Sequence, residues 1–166
     1  MNRIQALSLC LALGLASASG VALAQQVATD QFQVLITIES TCSIDTPAAT
    51  DVDFGSVAST ATNIEAEGTL SVNCTPGTPW NIALDAGENA AGDVAARAMS
   101  NGTEEVPYQL YQDAGRATVW GDTVGTDTLV GEGIGEVEEV TVYGLVPSAN
   151  SPAGNYSDTV TATVIW

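Results

Sequence analysis

The stretch Gln31-Phe32-Gln33-Val34-Leu35-Ile36-Thr37-Ile38 decides how this chain of 166 residues is read. Its even positions, Phe32, Val34, Ile36 and Ile38, fall on one face of an extended segment, because successive side chains of a strand point to opposite sides. The same parity runs on to Cys42 and Ile44, broken by Asp30 before it and Ser40 within it. A strand so near the N-terminus needs a sheet to join, and that sheet can belong to its own chain or to a neighbour's. The two alternatives imply different functions.

Ahead of this stretch, residues 1–24 have the form of a secretory signal peptide. Arg3 supplies the basic start, Ile4 to Leu15 the apolar run, and Ala22-Leu23-Ala24 the small-residue cleavage site before Gln25. The run is too short to remain as a spanning helix. Cys10 follows Leu9 rather than a small residue, which argues against a lipoprotein site, and cleavage removes it. The expected mature protein, residues 25–166, is exported and long enough for one domain with a real core.

All 20 acidic residues lie in that mature part, whereas Arg97 and Arg116 are its only basic ones, a net charge of −18. Such a surface is repelled by phosphate backbones and anionic headgroups, so nucleic acid and membrane are not expected partners. The charge is read as a solubility feature. Enough Val, Ile, Leu and Thr recur in alternation for a packed β domain despite the charge.

Cys42 and Cys74 remain in a chain bound for an oxidising compartment, and both sit on apolar strand faces. They point to one disulfide. Two thiolates without histidine would leave a zinc site half filled, and the pair does not form the Cys-x-x-Cys of redox catalysis.

Further strands are expected at residues 53–57, 69–74, 80–85, 106–113, 117–120, 128–130, 137–143 and 156–166. Loops are expected at 58–63, 88–97 and 147–154, and Asp45-Thr46-Pro47 ends the first strand. In the last strand Val160, Ala162, Val164 and Trp166 share a face, and no turn follows. Many short strands with frequent turn signals and no sustained helical stripe indicate an antiparallel sandwich. A last strand at the chain end leaves an edge that its own N-terminal segment or another molecule can cover, the latter by β-augmentation.

An enzyme is not expected. With no histidine and no lysine, the common serine and cysteine triads cannot be built, and no carboxylate pair stands out among the acids. Asp51, Asp53, Asp122, Asp127 and Glu132 do not have the spacing of an EF-hand and are read as solvated turns, so no metal or other cofactor is expected. Trp80, Trp120 and Tyr108 are read as core or rim packing rather than sugar-stacking platforms.

Several segments in order then resemble one family. They include Ser40-Thr41-Cys42-Ser43-Ile44, Val52-Asp53-Phe54-Gly55, Gly68-Thr69-Leu70-Ser71-Val72-Asn73-Cys74-Thr75 and Leu84-Asp85-Ala86-Gly87. Arg97-Ala98-Met99, Val106-Pro107-Tyr108-Gln109-Leu110-Tyr111, Trp120-Gly121-Asp122, Tyr143-Gly144-Leu145-Val146-Pro147 and Ala153-Gly154-Asn155-Tyr156-Ser157-Asp158-Thr159-Val160 continue it. Over essentially the whole mature chain the sequence resembles the spore coat protein U domain, the pilin-type subunit of archaic chaperone-usher pili.

The resemblance implies an incomplete immunoglobulin-like antiparallel β-sandwich lacking its last strand, completed by a donor strand from another polypeptide. It implies a periplasmic chaperone and an outer-membrane usher as assembly partners, identical or homologous pilin subunits as neighbours, and a cell-surface fibre serving adhesion and biofilm formation. Residues 25–38 would be the donor segment, with Phe32, Val34, Ile36 and Ile38 entering a neighbour's groove. Val160, Ala162, Val164 and Trp166 would form one wall of the acceptor. The boundary between donor and first domain strand falls between Gln33 and Cys42. The alternatives are a self-complete secreted sandwich acting as a binding module, and a spore-coat or matrix protein of the same fold.

Overall fold

Two long antiparallel strands, Thr62–Cys74 and Glu138–Ser148, form the spine of the fold, in register from Thr62 opposite Ser148 to Val72 opposite Glu138. The computed structural model describes residues 26–44 and 48–166. The expected signal peptide at 1–24 and the expected strand end at 45–47 lie outside the described residues. In chain order the strands are β1 (Cys42–Ile44), β2 (Thr62–Cys74), β3 (Pro79–Leu84), β4 (Ala98–Ser100), β5 (Glu105–Pro107), β6 (Gln109–Tyr111), β7 (Leu129–Glu132), β8 (Glu138–Ser148) and β9 (Ala162–Ile165). They make a four-stranded sheet β1-β2-β8-β6, a three-stranded sheet β7-β3-β9 and a β4-β5 ribbon, antiparallel throughout. The only helical element among the described residues is a 3-10 turn at Val94–Ala96. The all-β antiparallel class expected from the sequence is the class observed.

The chain divides into two units between Thr37 and Ile38. In the first, residues 26–37 form no strand, and Phe32, Val34 and Ile36 expose 88%, 85% and 86% of their surface. Of the apolar parity read from Phe32 to Ile44, only Cys42–Ile44 is paired as a strand, β1. In the second unit, alternate residues build the core. Leu70, Val72 and Cys74 of β2, Trp80, Ile82 and Leu84 of β3, and Val142 and Val146 of β8 are all buried. Trp120 is fully enclosed, and its indole N–H donates to the Ile82 carbonyl at 2.7 Å, so a large ring is buried without losing a hydrogen bond.

Other boundaries also move. β2 begins seven residues before the expected start, within the small-residue stretch read as a loop. β8 runs on through Pro147, and residues 53–57 form no ladder. The strand expected at 106–113 is split at Tyr108. There the backbone N–H donates to the Arg97 carbonyl, β5 turns to β4, and β6 pairs with β8. Residues 117–120 contribute only a bridge from Val119 to Tyr111.

Candidate binding groove

A cleft of about 960 Å³ opens in the second unit between residues 49–57 and residues 149–162. Its floor is the core itself, including Leu70, Leu84, Val106, Leu110, Val142 and Val146. One side is set by Thr50, whose N–H donates to the Thr69 carbonyl at 2.9 Å while its hydroxyl accepts from the Thr69 N–H at 2.8 Å. From that anchor Val52 and Phe54 turn inward over glycines. A Cβ on Gly144 would come within 2.5 Å of a Val52 methyl and 2.8 Å of the Phe54 ring, and one on Gly68 within 2.7 Å of the Thr50 carbonyl. Gly68 and Gly144 are thus required for close approach of the chain to the sheet.

The opposite side is the C-terminal segment. Among the described residues, β9 is the edge of its sheet, paired to β3 alone. Asp85 donates its N–H to the Thr161 carbonyl at 3.0 Å, so Thr161 faces the β3 side. Backbone groups of successive strand residues point to opposite edges. Those of Val160, Ala162 and Val164 therefore point to the unpaired edge, while their side chains pack on the core. Trp166, at the far end of the row, is 58% exposed.

Carboxylates and one arginine organise the groove's surroundings. Asp158 Oδ2 accepts from the Tyr108 hydroxyl at 2.7 Å, and burial together with that bond pushes the phenol pKa far above its usual range. Asp85 Oδ1 accepts from the N–H groups of Thr161 and Gly87, both at 2.9 Å. Partial burial raises the Asp85 pKa, but these bonds and the Arg97 charge outweigh it and hold the group below the ordinary carboxylate range.

Arg97 is 1% exposed and makes five hydrogen bonds, to the carbonyls of Leu84, Asp85 and Trp120 and to Gln109 Oε1. Desolvation lowers its pKa against the opposing pull of Tyr108, Asp85, Asp122 and Asp127. The guanidinium joins the end of β3 to β6 and the Trp120 loop. Composition had marked Arg97 only as one of two mature cations, and nothing local signals that it is buried.

Cys42 and Cys74 are bonded, directly opposite one another on β1 and β2 with Cα atoms 4.1 Å apart. Among the described residues, no three acidic or cysteine side chains come together as a metal-binding group, and Asp51, Asp53, Asp122, Asp127 and Glu132 do not converge on one centre. The expected groove residues Val160, Ala162 and Val164 share the core-facing row. Phe32, Val34, Ile36 and Ile38 are exposed. Asp158, Asp85 and the two glycines were not expected as groove residues, because their part depends on what lies across the fold.

Residues 28–163 match the family described as the Spore Coat Protein U domain. Protein U of Myxococcus xanthus is 37% identical over 153 residues, covering 84% of this chain and 85% of the relative. Among solved structures, one chain of the CsuC–CsuE chaperone–tip adhesion subunit pre-assembly complex, from the archaic chaperone-usher Csu pili of Acinetobacter baumannii, superposes with a TM-score of 0.57. That match is 20% identical and covers 78% of this chain and 41% of the other, so this chain spans about two fifths of the matched chain's length. At that identity the likeness concerns the fold.

Proposed function

Given that this chain belongs to the Spore Coat Protein U domain family, we propose that it is a structural subunit of an archaic chaperone-usher pilus, polymerising by donor-strand exchange. The observation that carries this reading is the cleft: an apolar floor beside a strand edge whose backbone groups are unpaired. An added strand supplies what both lack. Its ladder bonds satisfy Val160, Ala162 and Val164, and its alternate side chains cover the floor.

Residues 25–38 of a neighbouring subunit have the matching pattern, with Phe32, Val34, Ile36 and Ile38 as the inserted row. Burying four such side chains contributes roughly 1.5 to 3 kcal/mol each before ordering costs. A slip of one residue turns the row outward, so the pockets set register. Trp166 closes the end of the acceptor wall. In this reading a periplasmic chaperone first occupies the groove, and an outer-membrane usher mediates the exchange. The finished fibre is extracellular and serves adhesion and biofilm formation as a structural polymer rather than an enzyme.

The test compares the mature chain with and without residues 25–38. The full chain is expected to form SDS-resistant multimers that dissociate on heating. The shortened chain is expected to remain unpolymerised and to be stabilised by a synthetic Gln25-to-Glu39 peptide. A shortened chain that is monomeric, stable and indifferent to the peptide excludes donor-strand exchange.

A further inference from the structure

The wall formed by residues 157–162 is backed by two different strands. At one end Ser157 exchanges two backbone hydrogen bonds with Ser100 of β4, at 2.9 and 3.1 Å. At the other Ala162 lies opposite Leu84 of β3. β3 and β4 belong to different sheets, and the chain between them runs through loops and the 3-10 turn. No single strand therefore backs Asp158 to Thr161.

Side chains fill the gap. Asp85 takes the Thr161 N–H. Asp158 Oδ1 accepts from the Glu88 N–H, Asn89 Nδ2 and the Thr159 N–H, each at 2.9 Å, and its Oδ2 takes the Tyr108 hydroxyl at 2.7 Å. One carboxylate thus ties the wall to the 87–89 loop and to the junction between β5 and β6. Gly87 has a φ of 79° and would drive a Cβ into that carboxylate, so the loop is shaped around it. Asp158 borders the groove, and its four bonds leave it little freedom to serve another partner.

We propose that Asp158 is a positioning residue for strand capture. Its carboxylate holds the wall extended across the gap between β3 and β4, so that Val160 and Ala162 offer their backbone edge in register before a strand arrives. A wall that must order itself during docking loses affinity and on-rate, because the ordering opposes binding. The inference rests on the donor-strand reading above and adds the residue that prepares the acceptor.

The experiment uses the mature chain without residues 25–38, whose groove no donor segment fills and which retains residues 39–166 of the second compact unit. A fluorescent Gln25-to-Glu39 peptide is added, and the rate and affinity of its capture are measured together with Tm. Asp158→Ala is compared with Val72→Ala, a core substitution away from the groove, under conditions where their losses of Tm are equal. Asp158→Ala is expected to lower capture about 10- to 100-fold beyond Val72→Ala. Asp158→Asn keeps the Oδ1 acceptor and Tyr108→Phe removes one donor, so both are expected to lie between. If Asp158→Ala does not fold, these two variants carry the comparison. Equal capture at equal Tm overturns the positioning role while leaving donor-strand capture intact. An unsubstituted chain that does not take up the peptide overturns the donor-strand reading and this inference with it.

Discussion

β1 and β9 are both edge strands, and the fold finishes them in opposite ways. β1 is three residues long and bonded to β2 through Cys42–Cys74, and beside it Thr41 and Thr75 are joined by a backbone bond of 2.9 Å and a hydroxyl bond of 3.0 Å. β9 has no such closure. From Thr159 to Trp166 the chain holds no charged residue and no proline, in a protein with 20 acidic residues. Edge strands are commonly protected by charge, proline or short length. Short length and a covalent bond protect β1, whereas β9 borders an apolar cleft with its backbone edge bare. The difference leaves one edge closed and the other open.

The largest expected effect lies in the segment proposed to join the open edge. Val34→Asp with Ile36→Asp should abolish multimers seen on unheated gels while leaving the Tm of the second unit unchanged, because both side chains are exposed in the single chain. A matching fall in Tm would mean that the segment belongs to its own subunit's core.

At the closed edge, Cys42→Ala with Cys74→Ala removes a bond spanning a sequence separation of 32. The chain-entropy account puts the loss at about 3 to 4 kcal/mol, read from denaturant unfolding. Peptide capture at matched stability should change little, since neither cysteine lines the cleft. Gly144→Val tests the floor between the two edges. Its side chain would collide with Val52 and Phe54, at a cost of about 1 to 3 kcal/mol in urea unfolding and with weaker peptide capture.

The smallest effect concerns acid. Asp85 has a folded pKa below its unfolded value, so the stability it contributes is complete above the ordinary carboxylate range and is lost as pH falls through the depressed value. Asp113 is lowered by the N–H groups of Thr118 and Ala117 and acts in the same direction. Replacing Asp85 with Asn should flatten the acid limb of a Tm-against-pH curve. An unchanged limb would assign acid sensitivity elsewhere.

Much of the fold was legible where alternation was strong. Leu70-Ser71-Val72-Asn73-Cys74 and Trp80 to Leu84 read as half-buried strands and are strands with those faces inward. The start of β2 was hidden because Ala66 and Gly68 keep parity without apolar bulk, and Gly68 must be small where residues 50–52 cross it. The continuous strand expected from Val106 to Asp113 fails at Tyr108, whose N–H is claimed by Arg97, eleven positions earlier in sequence but adjacent in space. The groove was half legible. Parity put Val160, Ala162 and Val164 on one face, of which Val160 and Ala162 line the cleft, while Asp158, Asp85 and Arg97 carried no local sign of their bonds.

Local pattern alone determined the all-β class, the pairing of the two mature cysteines, the absence of the common triads and the apolar parity at each end of the mature chain. These follow from side-chain alternation and residue chemistry, which a strand expresses wherever it lies. Tertiary structure decided which rows are covered. It leaves Phe32, Val34 and Ile36 in solvent and turns Val160, Ala162 and Val164 onto the core. It closes β1 and leaves one side of β9 without a partner strand among the described residues, because an edge is a property of strand order, and strand order depends on contacts between residues far apart in sequence.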